Sequence, residues 1–233
     1  MPTRVLSMVC LAALTALLSA GCSDPVKDLT SSDPKVQHRA VLALAYRGDD
    51  AALDALAPLA KGENGDLAAE VLMALSKSPS GRVCEVLSDV ILTDKREGLR
   101  LVAAVSLGQR KEPEAAETLR RVVGRDPAPG VRGEAAKSLG VVGKIDDVTL
   151  IANTLVRETD ARAATGEILG LQKLTRTTYP LYDPKATPDE QQAQLQRIRE
   201  SAIHQMEVRT GKVHPDTKHV PRGPGEPPRP NDR

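Results

Sequence analysis

The stretch "VRGEAAKSLG", residues 131–140, spaces Val131, Ala135 and Leu139 four residues apart, so three apolar side chains fall on one stripe of a helix. Gly140 then lets another helix approach closely and starts a turn. The same frame returns as "VQHRAVLALA" from Val36, "LAAEVLMALS" from Leu67, "LRLVAAVSLG" from Leu99 and "ARAATGEILG" from Ala161, at intervals of 31, 32, 32 and 30 residues. Its tenth position is small in every copy: Ala45, Ser76, Gly108, Gly140 and Gly170. Beyond each turn lies a second apolar group, Leu53, Leu56 and Leu59, then Cys84, Leu87 and Ile91, then Leu119, Val122 and Val123, then Val148, Ile151 and Leu155. Start signals agree: Asp33-Pro34 offers an N-cap followed by proline at the first helical position, and Asp126 or Gly130 can open the fourth unit.

A period of this length, repeated five times, marks a stack of supersecondary units that cannot bury their apolar faces alone. On these residues the chain resembles the short HEAT-like repeats of about thirty residues, a type also seen in phycobilin lyase proteins. The resemblance covers residues 31 to about 175, in units near 31–61, 62–93, 94–125, 126–158 and 159–175. It implies an all-α fold: a right-handed α-solenoid of helical hairpins with a C-terminal amphipathic capping helix and a disordered tail. Aligned Arg100, Arg132 and Arg162 are expected to pair with turn carboxylates such as Asp146 or Asp147.

Composition agrees with thin layers of helices, because the chain has no Trp, no Phe and three Tyr, leaving Ala, Leu, Val and Ile to build the core. Counted without residues 1–22, which hold only Arg4, the chain balances 31 basic against 31 acidic side chains. Such a balance supplies no long-range attraction to nucleic acid.

Upstream, Arg4 precedes an uncharged run from Val5 to Ala20 that closes on the small residues Ala20-Gly21-Cys22. That is the layout of a secretory signal, residues 1–21, and 16 apolar positions at 1.5 Å rise fall short of the roughly 30 Å hydrocarbon core of a bilayer. Leu18-Ser19-Ala20-Gly21-Cys22 resembles a bacterial lipobox, with Ser19 where that family usually has Leu. The resemblance implies cleavage between Gly21 and Cys22, lipid on Cys22, and a lipidated linker over 22–30. An ordinary signal peptide cut nearby is the other reading. Ser23 after the cysteine implies, in envelopes that sort on this position, the periplasmic side of the outer membrane. With Cys10 in the signal and Cys22 acylated, Cys84 is the one thiol left, so no disulfide can form within the chain.

Downstream, Thr187-Pro188-Asp189-Glu190 combines a capping box with proline at the first helical position. Leu195, Ile198, Ala202 and Met206 line one face of a helix reaching about Arg209, so residues 176–211 read as a loop and capping helix over the open end of the stack. Residues 212–233 contain six Pro and no large apolar cluster, which marks a disordered tail with polyproline II character.

Catalytic groupings are not expected. His38, His204, His214 and His219 lack metal-ligand spacing, there is no His-Glu dipeptide of the iron-binding HEAT-like enzymes, and no phosphate loop or Gly-x-Ser-x-Gly motif occurs. No cofactor, no metal and no small-molecule substrate are anticipated, and Cys84 falls at an inward position of a second helix. Charge is uneven along the stack: residues 62–93 carry two basic and five acidic groups, residues 94–125 eight and five. Arg110, Lys111, Arg120 and Arg121 are therefore candidate partner-binding residues on a concave groove lined by second helices, with Arg125 in the same cluster. Tyr46, Tyr179 and Tyr182 are the candidate aromatic anchors. The reading is a non-enzymatic, lipid-anchored scaffold for unidentified envelope proteins. A HEAT-like enzyme or lyase-type accessory protein is the alternative, since a fold shared through repeats does not carry function.

Overall fold

The computed structural model describes residues 24–180 and 182–213. Among them every regular element is a helix: α1 (Pro25–Asp28), α2 (Pro34–Arg47), α3 (Asp50–Ala60), α4 (Gly65–Leu75), α5 (Val83–Thr93), α6 (Glu97–Leu107), α7 (Pro113–Val122), α8 (Pro129–Val142), α9 (Asp147–Leu155), α10 (Ala161–Thr175) and α11 (Pro188–Arg209). The expected signal, Gly21, Cys22, His214, His219 and nearly all of the Pro-rich tail lie outside the described residues. Residues 24–30, expected as linker, contain α1, and Leu29 after it is buried against the first unit while Gln37 Nε2 donates to its carbonyl at 2.7 Å.

Local chemistry accounts for the helix starts. Asp33, Asp49, Asn64 and Asp160 accept hydrogen bonds from backbone N–H groups of the first turns of α2, α3, α4 and α10. Pro34, Pro113 and Pro129 occupy first-turn positions where no donor is needed. Gly48 closes α2 at φ +62°, a left-handed turn against Pro79 that leaves no room for a Cβ.

First helices α4, α6, α8 and α10 begin at Gly65, Glu97, Pro129 and Ala161, each 32 residues after the one before. This spacing corrects the fifth unit. Alignment on Leu169-Gly170 gave an interval of 30, but Thr165 and Leu169 are exposed, whereas Ala163, Glu167 and Leu171 are buried and fall 32 residues after Val131, Ala135 and Leu139. The helix start after Asp160, not the Leu-Gly dipeptide, sets the register. Arg162 consequently leaves the arginine row and is an exposed side chain beside Asp160.

The core is aliphatic and continuous. Leu44, Leu56, Leu72, Leu87, Leu107, Leu119, Leu139, Ile151, Leu155 and Leu171 are wholly buried, and each such side chain contributes about 1.5–3 kcal/mol. First helices pack on one another more extensively than second helices do. The closest approach is α8 to α10, where a Cβ on Gly166 would collide with the Gly133 backbone and one on Gly140 would lie 2.7 Å from the Gly170 Cα.

The far end is closed by α11, whose capping box between Thr187 and Glu190 is complete. Leu195, Ile198, Ala202 and Met206 are buried. Arg199 bonds Asn153 and Gln192 bonds the Val156 carbonyl, so α11 runs beside α9 and serves as the second helix of the fifth hairpin.

Candidate interaction surface

Several arginines, Arg96, Arg100, Arg110 and Arg120 among them, hold one unit to the next. Arg100 makes two bonds to Asp126, at 2.8 and 3.0 Å, while its third nitrogen donates to the carbonyls of Asp94 and Lys95. Arg132 repeats this with Glu158, at 2.8 Å twice, and with the carbonyls of Asp126 and Pro127. Planar guanidinium groups suit such paired recognition of a carboxylate and a turn. Burial pushes the Glu158 carboxyl up, and Arg132 with the Asp160 and Thr159 N–H groups outweighs it, holding the pKa below the ordinary value. The acids are Asp126 and Glu158; Asp147, expected in this role, belongs to Arg120.

Two candidate partner-binding residues are drawn inward by the same logic. Arg110 is only 7 % exposed and donates to the carbonyls of Ser76, Ser78 and Ser80 and to Glu112 at 2.5 Å. Its guanidinium thereby organises the Ser78-Pro79-Ser80 turn, the least regular of the repeats, and is not available to a partner. Arg120 binds Asp147 at 2.5 and 3.0 Å, and Asp147 also accepts from the Lys144 N–H at 2.7 Å. Reversing its charge would strand a buried acid. Lys111 and Arg121 are exposed, so only part of the expected basic face is open to solvent.

The tyrosines divide as well. Tyr179 is a core residue whose hydroxyl meets the Thr175 hydroxyl at 2.6 Å, and burial raises its pKa. Tyr182 is partly buried and donates to Gln191 at 3.2 Å. Tyr46 alone is fully presented, 85 % exposed at the C-terminal end of α2. Cys84 is buried, and desolvation raises its pKa to about 11, so it is a small apolar side chain and not a nucleophile at neutral pH.

Around Tyr46 the structure assembles a surface that its sequence position alone did not reveal. Leu42, 46 % exposed, and Met73, 53 % exposed, face each other across α2 and α4 with Ala45 and Ala74, and form with Tyr46 a groove of about 330 Å³. One end is polar, where His38 Nδ1 and Glu70 Oε1 lie 2.6 Å apart, and Lys77 marks the other. The signal was in the frame: its seventh position holds Leu42 and Met73 in the first two units but Lys137 in the fourth. Among the described residues no group of three or more His, Cys, Asp or Glu is placed to hold a metal, and no helix is long and apolar enough to cross a membrane.

A stack of helical hairpins tied by turn-binding arginines, with an apolar groove on its surface, is an α-solenoid of the kind that serves as a binding platform. The HEAT repeats family profile matches residues 23–107 and 85–171, and the chain belongs to that family. Members are commonly protein-interaction scaffolds. Comparison with curated proteins finds no match.

Proposed function

We propose that this protein is a non-enzymatic scaffold, anchored through lipid on Cys22 in a bacterial envelope, that holds another envelope protein on the groove between α2 and α4. The observation that carries the reading is the cluster of Leu42, Tyr46 and Met73, three of the seven large apolar side chains exposed among the described residues and the three that meet in one groove. The occupant is an amphipathic helix of the partner, with apolar side chains for the groove and an acidic residue for Lys77, which makes no ion pair among the described residues. The groove sits in the first two units, which follow Cys22 most closely in sequence.

The test is site-specific photocrosslinking from position 46 in intact cells. A single discrete envelope adduct, lost in Leu42→Asp and Met73→Asp, supports the groove; equal adducts in those variants overturn it. For the anchor, Cys22→Ala should move the protein from the membrane fraction to the soluble one, and unchanged membrane retention refutes lipid attachment. Turnover or tightly held metal in the purified protein would favour the enzyme class instead.

A further inference from the structure

Arg125 and Arg157 stand 32 residues apart, and each immediately precedes the acid, Asp126 or Glu158, that binds a buried arginine of the row. The acids turn inward and these two arginines are left outside. Both line a cavity of about 560 Å³ between the turns after α7 and α9, whose wall also contains Thr154 and the Arg132–Glu158 pair. Arg157 Nε donates only to the Asn153 carbonyl, and among the described residues neither Arg125 nor Arg157 forms an ion pair.

A second observation lies beneath this cavity. Glu167 of α10 is wholly buried, and neither carboxyl oxygen has a hydrogen-bond partner. The groups that act on it, Thr154, Glu158, Arg132 and Arg157, all belong to the cavity wall. Thr154 gives its hydroxyl hydrogen to the Ile151 carbonyl at 2.9 Å, and Arg132 is already taken by Glu158 on both arms. A carboxyl so buried and unpaired holds its proton, because the ionised form has lost water and gained nothing. The balance at the cavity is then two uncompensated positive charges over one neutral pair and one neutral acid.

We propose that this cavity is a site for a tetrahedral oxyanion, a phosphate or sulfate group, gripped by Arg125 and Arg157 and dependent on Glu167 remaining uncharged. Paired guanidinium groups match such oxygens in geometry and charge. Ionisation of Glu167 would halve the positive charge and release the ligand. Burial places that ionisation near pH 8, against the pull of Arg132 and Arg157 and with the push of Glu158.

Inorganic sulfate is the probe, since its charge does not change between pH 7 and 9, and calorimetric titration of the full chain is the measurement. Saturable binding at pH 7, weakened at least tenfold in Arg125→Ala/Arg157→Ala but not in Arg121→Ala, is expected. Binding should weaken several-fold at pH 9 in the natural protein and hold in Glu167→Gln. No saturable binding, equal binding in the double variant, or the same loss at pH 9 in Glu167→Gln overturns the proposal. Phosphatidylglycerol vesicles, offered to the full chain in a Cys22→Ala background, separate the sources: capture that needs Arg125 and Arg157 assigns a lipid headgroup, and sulfate binding without capture assigns a soluble anion.

Discussion

The junction of α8 with α10 and that of α2 with α4 are built from the same repeat and do opposite things. At the first, Gly133, Gly140, Gly166 and Gly170 let two helix backbones touch, and Arg132 and Glu158 lock the edge. At the second, Leu42, Tyr46 and Met73 hold solvent-facing apolar surface. Identical topology therefore does not specify how closely a junction packs; the side chains at two or three frame positions decide which junction is sealed and which stays open to solvent. Stability in such stacks is roughly a sum of unit and interface terms, so the two junctions can be perturbed one at a time.

The largest effect is expected at the sealed junction. Leu139→Asp places an unpaired charge where nothing is exposed, and at a cost of about 4 kcal/mol or more the chain should lose its cooperative urea transition. If it unfolds as the natural protein does, the junction is not the stack's core. Arg132→Ala is expected next, at about 3 kcal/mol, because Glu158 would be left buried without its partner. The corresponding change at exposed Arg162 should be within about 0.5 kcal/mol, which sharpens the contrast between the row and its apparent third member.

Glu167 makes the same junction sensitive to pH. Folded, its carboxyl keeps a proton to about pH 8; unfolded, it ionises near the ordinary value of 4.5. Unfolding releases a proton between these values, so this contribution is complete below pH 4.5 and is lost as pH rises towards 8, by at most about 1.4 kcal/mol per pH unit. Urea midpoints at pH 5 and 7 should separate in the natural protein and converge in Glu167→Gln. Smallest is the effect at the open junction: Met73→Ser should alter stability by no more than about 0.5 kcal/mol while abolishing the adduct photocrosslinked from position 46. A large loss of stability there would mean the groove is structural.

Much of the fold was legible because its determinants are local and periodic. The stripe at Val131, Ala135 and Leu139, the small tenth position and the Thr187–Glu190 capping box each act within a turn or two of helix, and their spacing can be counted. The fifth unit misled because Leu169-Gly170 copies Leu139-Gly140 in letters but not in distance from the helix start. Candidate site residues fared differently, since exposure is not periodic. Arg110, Arg120 and Tyr179 share composition with true surface residues, and only the neighbours across a turn, Ser76 to Ser80, Asp147 and Thr175, draw them inward.

Taken by itself, the order of residues determined that the chain would be helical, that its helices would come in pairs about every thirty residues, and that its core would be aliphatic, because helix periodicity and capping are short-range effects written in one dimension. Tertiary structure alone decided which arginines are mortar and which face a cavity, that Glu167 is sealed without a partner, and that Leu42, Tyr46 and Met73 meet as one surface. Those outcomes depend on contacts between residues some 26 to 34 positions apart, where the angle and distance between stacked helices, not the spacing within either one, select the neighbour.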